Sequence, residues 1–199
     1  MSIASDVVHI LRDATRTQHQ AIENVMPFSH PEFNVKMYVQ MLVALLGFFE
    51  PLESRLCAVA NWQSAGIDLP KRLRNNLLRR DLHYFGFNDS AIDTLPRYTH
   101  LFPITGLDSG LGALYVLEGS TLGGQLIARD LAARFGFTPA AGISFFSSTG
   151  RNVESEWRSL CESLRKNLVD PKATENACSA ATLTFDHLQQ WMSSQLHGS

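Results

Sequence analysis

Residues 114–135 read LYVLEGSTLGGQLIARDLAARF, an apolar-periodic run with three glycines where a helix should be strongest. The apolar positions recur at three- and four-residue steps, which places them on one face of an α-helix. An interior glycine costs about 1 kcal/mol relative to alanine, so Gly119, Gly123 and Gly124 together give up roughly 3 kcal/mol of helix stability. Gly119 and Gly123 stand four apart and share a face. A face without side chains admits another backbone or a flat ligand, and a helix can bend there. Spacing alone supports close helix packing as well as it supports a ligand wall.

Helical periodicity extends outward from this run over nearly the whole chain. Ser5 is a reasonable N-cap for a first helix whose apolar side carries Val8, Leu11, Thr15, Ile22 and Met26. Ser29, His30 and Pro31 break that pattern. A second helix is predicted from about Pro31 to Glu50, with Phe33, Met37, Met41, Leu45 and Phe48 on one face. Pro51 predicts a kink or a fresh start, with helix continuing to Trp62. Further helices are predicted over Arg72 to Phe85, Ser90 to Leu95, Leu107 to Phe135, Val153 to Leu168 and Lys172 to Leu196. The best strand candidate, Gly142-Ile143-Ser144-Phe145-Phe146, is too short to build a sheet. There is no internal repeat, linker or low-complexity tract. The expected class is all-α, with one domain over residues 1–199.

Composition agrees with a packed globular chain: 199 residues are 45% apolar and 18% charged. The net charge of −2 argues against nucleic acid or an acidic membrane surface as partner. Cys57, Cys161 and Cys178 are odd in number and form no CxxC pair, so they read as reduced thiols. The N-terminal MSIASDVVHILRDATR lacks the basic-then-apolar order of a signal peptide. The longest apolar run, Met41 to Phe49, falls short of the ~20 residues that span a bilayer. A cytoplasmic protein is expected.

His19 lies on the apolar side of the first helix. A lone histidine there is ordinarily a hydrogen-bonded core residue. Glu23, one turn on, is placed to accept the ring N–H and leave the other nitrogen for a metal. Arg12 and Arg16, on the preceding turns, are in reach of an anionic group on whatever His19 holds; the plain alternative is solvated surface pairing. The sequence lacks HExxH, a repeated ExxH pair, clustered Cys/His ligands and a phosphate loop. Gly110 and Gly112 follow no strand, and Ser120 is not in a GxSxG elbow. His9, on the same helix as His19, is the histidine most easily mistaken for the ligand.

Two segments together resemble the haem oxygenase family. Leu11-Arg12-Asp13-Ala14-Thr15-Arg16-Thr17-Gln18-His19-Gln20-Ala21-Ile22-Glu23 is similar to the family's proximal helix, and Leu117-Glu118-Gly119-Ser120-Thr121-Leu122-Gly123-Gly124-Gln125 to its distal helix in bacterial form. Weaker echoes are Gly142 to Phe146 and Trp157-Arg158-Ser159-Leu160. The blocks follow family order from residue 5 to about residue 190.

This resemblance implies haem sandwiched between a proximal and a kinked distal helix, as both cofactor and substrate. His19 would ligate the iron with Glu23 on its ring. Gly119, Ser120 and Gly123 would form the catalytic distal face, with Gly124 beside them. Arg12, Arg158 and Tyr115 would lie near the propionates, Tyr115 with a one-residue offset from the family pattern. O2 and electrons from a separate ferredoxin or NADPH-dependent reductase would convert haem to biliverdin, iron and carbon monoxide. Two positions depart from the pattern: Ser120 replaces a water-organising aspartate of mammalian members, and Glu162 replaces an arginine. The alternatives are a haem carrier that has lost turnover, and a helical hydrolase of similar architecture with no haem.

Overall fold

The computed structural model describes residues 6–196, and among these it contains eight α-helices, two short 3-10 turns and no strand. The predicted first helix is present but bent. Helices α1 (Val7–Ala14) and α2 (Arg16–Val25) meet at Thr15, whose φ and ψ of −108° and 4° leave the helical region. The backbone ladder still crosses the junction, through Thr15 N–H to Leu11 O at 3.1 Å and His19 N–H to Thr15 O at 2.9 Å. The buried Thr15 hydroxyl also donates to Leu11 O at 2.8 Å, a back-bond that bends helices. Asp6 is the N-cap, accepting from Val8 N–H at 3.3 Å; Ser5, the expected cap, lies outside the described residues.

Helix α3 (Val35–Cys57) starts later than the sequence predicts, at Asn34, whose side chain caps Met37 N–H at 3.2 Å. It then runs through Pro51 without a break, so no new helix starts there. A proline inside a helix removes one donor and crowds the carbonyl four residues earlier. Here that carbonyl belongs to Gly47, and Tyr98 N–H takes it at 2.9 Å. A Cβ on Gly47 would lie 2.7 Å from Pro96 O, so the glycine admits the loop that supplies the replacement donor. By length and composition α3 would suffice to cross a membrane, but 56% of its most apolar window is buried, as befits a core helix.

A 3-10 turn (Leu69–Arg72) leads into α4 (Asn75–Tyr84), followed by α5 (Asp89–Asp93). Buried carboxylates fix this region by taking paired backbone donors. Glu53 accepts Arg74 N–H at 2.7 Å and Asn75 N–H at 3.1 Å, satisfying the start of α4. Asp81 accepts Ser144 N–H at 2.7 Å and Phe145 N–H at 2.9 Å. This explains the fate of the strand candidate: its amides are held by a helix, and only isolated bridges link Thr138 with Ala141 and Gly142.

Helix α6 (Leu107–Phe135) coincides with the predicted long segment, closed by Gly136 in the left-handed region at φ 72°. It packs along α8 (Pro171–Leu196), most closely at Gly112, where a Cβ would fall 2.1 Å from Ala177 O. Helix α7 (Val153–Asn167) lies against α1 and α6, while α2 also rests on α8.

Candidate functional site

Because α2 and α6 both rest on α8, they form two walls over a common floor. The segments that flank α2 meet α6 at two ends. At one, Tyr115 on α6 lies beside Thr15 and Arg12; burial pushes its phenol pKa up, and Thr15 works against that shift. At the other, Arg134 Nη1 donates to Phe28 O at 3.4 Å and the Phe33 and Phe135 rings pack edge-on at 5.9 Å. Between these ends α6 presents Gly119, Leu122, Gly123 and Leu126, a stripe spaced for one helix face. The stripe is open: Leu122 and Leu126 are 43% and 66% exposed. A Cβ added to Gly123 would meet nothing within 4 Å, and one on Gly119 would first meet the Trp157 ring at 3.8 Å.

His19 stands on the opposite wall with its side chain 59% exposed. Its Nδ1 is 3.5 Å from Glu23 Oε1, and its ring packs edge-on against Phe185 of α8 at 5.7 Å. Among the described residues no hydrogen bond engages Nε2, so that nitrogen is left for a ligand. No group of three or more His, Cys, Asp or Glu side chains converges among the described residues. A lone imidazole therefore fits a metal already held by a flat macrocycle better than a naked ion, and the apolar stripe on α6 fits the macrocycle itself.

The remaining predicted residues fall in different places. Arg12 is exposed and makes no ion pair among the described residues, whereas Arg16 pairs with Asp13. Arg158 is exposed on α7 and donates to Glu154 at 2.9 Å, an ordinary one-turn surface pair. Gly124 is buried and turned away from the open stripe; its Cβ would lie 3.1 Å from Phe146 O, so close packing of the 139–152 loop requires this glycine. Ser120 does not stand alone. Its hydroxyl donates to Leu117 O at 2.7 Å and accepts from Arg74 Nη2 at 2.7 Å.

Arg74 is the residue that sequence reasoning missed. It is fully buried, also donates to Leu117 O at 2.6 Å, and lies over the Phe49 and Phe145 rings at 5.2 and 4.6 Å. Burial brings its pKa down to about 10, which still leaves it protonated at neutral pH. Leu117 O thus takes two side-chain donors, and Glu118 O takes the Thr121 hydroxyl at 2.6 Å. Such insertions beside a glycine are physical causes of helix bending. The neighbouring Glu118 carboxylate is buried between Arg72 at 3.3 Å and Arg151 at 2.6 Å, and Arg151 also pairs with Glu156. An acidic residue inside an apolar run was the one available signal for this cluster. Nothing local marks Arg74, 43 residues before the carbonyl it binds.

Two cavities lie elsewhere. One, of about 340 Å³, borders the end of α2 at Met26, His30 and Met37; the other, of about 920 Å³, borders Cys57, Trp62 and Asp68. Neither is lined by His19 or by α6. His19 and the open face of α6 sit on two helices that share α8 as a floor.

An all-helical frame with an exposed imidazole on α2 and an open, glycine-containing apolar face on α6 suits a flat, metal-centred ligand. The chain belongs to the heme oxygenase family, whose model matches residues 5–194. It is therefore an enzyme that degrades haem. Among solved structures, the NO- and CO-bound heme oxygenase from Neisseria meningitidis superposes with a TM-score of 0.81 at 18% identity, covering 98% of this chain and 94% of that one. Heme oxygenase from Leptospira interrogans gives 0.76 at 19% identity, covering 95% and 99%. At such identities these likenesses speak to the fold. No curated protein sequence matches significantly.

Proposed function

We propose that the chain, acting as one domain, binds haem in the α2–α6 cleft and cleaves it to biliverdin, iron and carbon monoxide, using O2 and electrons from a ferredoxin or an NADPH-dependent reductase. The observations that support this are the exposed His19 imidazole on α2, unengaged at Nε2 among the described residues, and the open Gly119–Gly123 face of α6, both helices resting on α8. Haem would supply the redox-active iron and be consumed by its own oxidation.

Each wall has a distinct task. On the proximal wall His19 would ligate through Nε2, with the Glu23 carboxylate 3.5 Å from Nδ1. On the distal wall Gly119 and Gly123 let backbone lie close to the ligand plane while offering no titrating side chain. This matters because a strong acid at that place would favour scission of the O–O bond over oxidation of the ring. Arg12 and Tyr115, at the Thr15 end, are the groups proposed to hold the propionates. Arg158 would join them only after leaving Glu154. The exposed arginines near that end also suit an acidic electron donor.

Ser120 need not act as an acid in place of an aspartate. Its hydroxyl donates to Leu117 O and accepts from Arg74, which leaves one lone pair to order water in the cleft. Arg74 thus orients Ser120 and holds the Leu117 carbonyl while remaining behind the wall. The three unbridged thiols suit a reducing compartment, and we propose the cytoplasm.

Haem titration of the purified protein tests the binding half: a histidine-type Soret band saturating near one equivalent is expected, and its absence would remove this reading. Arg74→Met tests the distal assignment. Charge-assisted hydrogen bonds are worth about 1.5–3 kcal/mol, so turnover should fall roughly 10- to 150-fold. The Soret band should persist, because His19 is untouched. Unchanged turnover in a folded Arg74→Met protein would return Ser120 and Arg74 to a purely structural role.

A further inference from the structure

We propose that Phe185 is a positioning residue that sets the rotation of the His19 ring about its bond to the iron; this rests on haem ligation at His19. An imidazole bound through Nε2 keeps its ring plane roughly perpendicular to the macrocycle but can still turn about that bond. The ring's own torsion is broad and does not fix the angle. Two contacts bear on it. Glu23 is 3.5 Å from Nδ1, and both side chains are more than half exposed, so this contact is long, screened and mobile. Phe185 is 7% exposed, is held in α8 among core residues, and meets the imidazole at 5.7 Å with the ring planes 75° apart. An edge-on aromatic contact is directional and weakens if either ring turns flat against the other. The rigid partner therefore decides the angle, and Glu23 follows it.

The site also explains why a phenylalanine stands on this floor. α8 supports both walls, so Phe185 ties the orientation of the ligand ring to the helix that positions α6. The angle of an axial imidazole sets the splitting of the iron orbitals that point above the macrocycle. It therefore appears in the magnetic spectrum before it appears in any rate.

The test uses the full chain loaded with haem and cyanide, read by proton NMR of the haem methyl groups and by electron paramagnetic resonance. Phe185→Leu keeps apolar bulk but loses the ring edge; Phe185→Tyr keeps the edge. The leucine variant should bind haem within about tenfold of wild type, yet show a changed order or spread of methyl resonances and shifted g-values. The tyrosine variant should restore the wild-type pattern. Phe185→Met serves the same purpose if leucine perturbs folding. A normal Soret band with wild-type methyl and g-value patterns in Phe185→Leu or Phe185→Met overturns this inference alone. Wild-type protein without a histidine-type Soret band overturns the haem reading and this inference with it.

Discussion

Replacing His19 with alanine is expected to abolish the histidine-type Soret band while leaving the fold intact. The side chain is mostly exposed and its neighbours are an exposed carboxylate and one ring edge. Its removal should therefore change stability by no more than about 1 kcal/mol, with alanine's helix propensity offsetting the lost aromatic contact. Ligation, by contrast, has no second candidate on that wall. Even outer-shell partners of a ligating histidine are worth about 10- to 100-fold, so loss of the ligand should lower turnover by more than about 100-fold. Absorbance of the haem-loaded variant together with thermal denaturation checks both halves. A variant that keeps the band would move the ligand elsewhere, with His9 the first place to look. His197 lies outside the described residues.

Gly123→Leu is expected to separate stability from function in the opposite sense. The apo protein should gain about 1 kcal/mol, because leucine favours helix and the space beside Gly123 is open. Haem should then be opposed by a side chain in the plane it needs. Overpacking of about 1–3 kcal/mol corresponds to roughly 5- to 150-fold weaker binding. The comparison is informative because the adjacent glycine behaves otherwise. At Gly124 a side chain would press on Phe146 O, so the loss there falls on stability before any ligand is added. Melting temperature and haem affinity of Gly123→Leu, measured side by side, should move in opposite directions. If both remain at wild-type values, the α6 face opposite His19 has been misassigned.

The difference between these two glycines shows how far the sequence could be read. Helical spacing placed Gly119 and Gly123 on one face and bounded α6 at Gly106 and Gly136, where local backbone chemistry is decisive. The same spacing could not separate a glycine kept for a ligand from one kept for a neighbouring loop, because the loop meets Gly124 only through tertiary packing. Pro51 follows the same logic. A fresh start was a fair local expectation, yet the helix continues, with Tyr98 N–H reaching the released Gly47 carbonyl from a distant loop. Thr15 was read as one more apolar position, yet its buried hydroxyl bends the helix that carries His19. Arg74 left no local signature, since its role exists only where α4 meets α6. The pairing of His19 with Glu23 and the shared face of Gly119 and Gly123 were legible in residue spacing; the polar support behind Ser120 was not.

The most direct test of the proposed activity is a single turnover of haem-loaded protein with an electron donor and O2, in the presence of catalase. The Soret band should disappear while the red absorption of biliverdin rises, with one equivalent of carbon monoxide released. A haem spectrum that persists under those conditions, in protein that binds haem through His19, would contradict catalysis and identify a carrier.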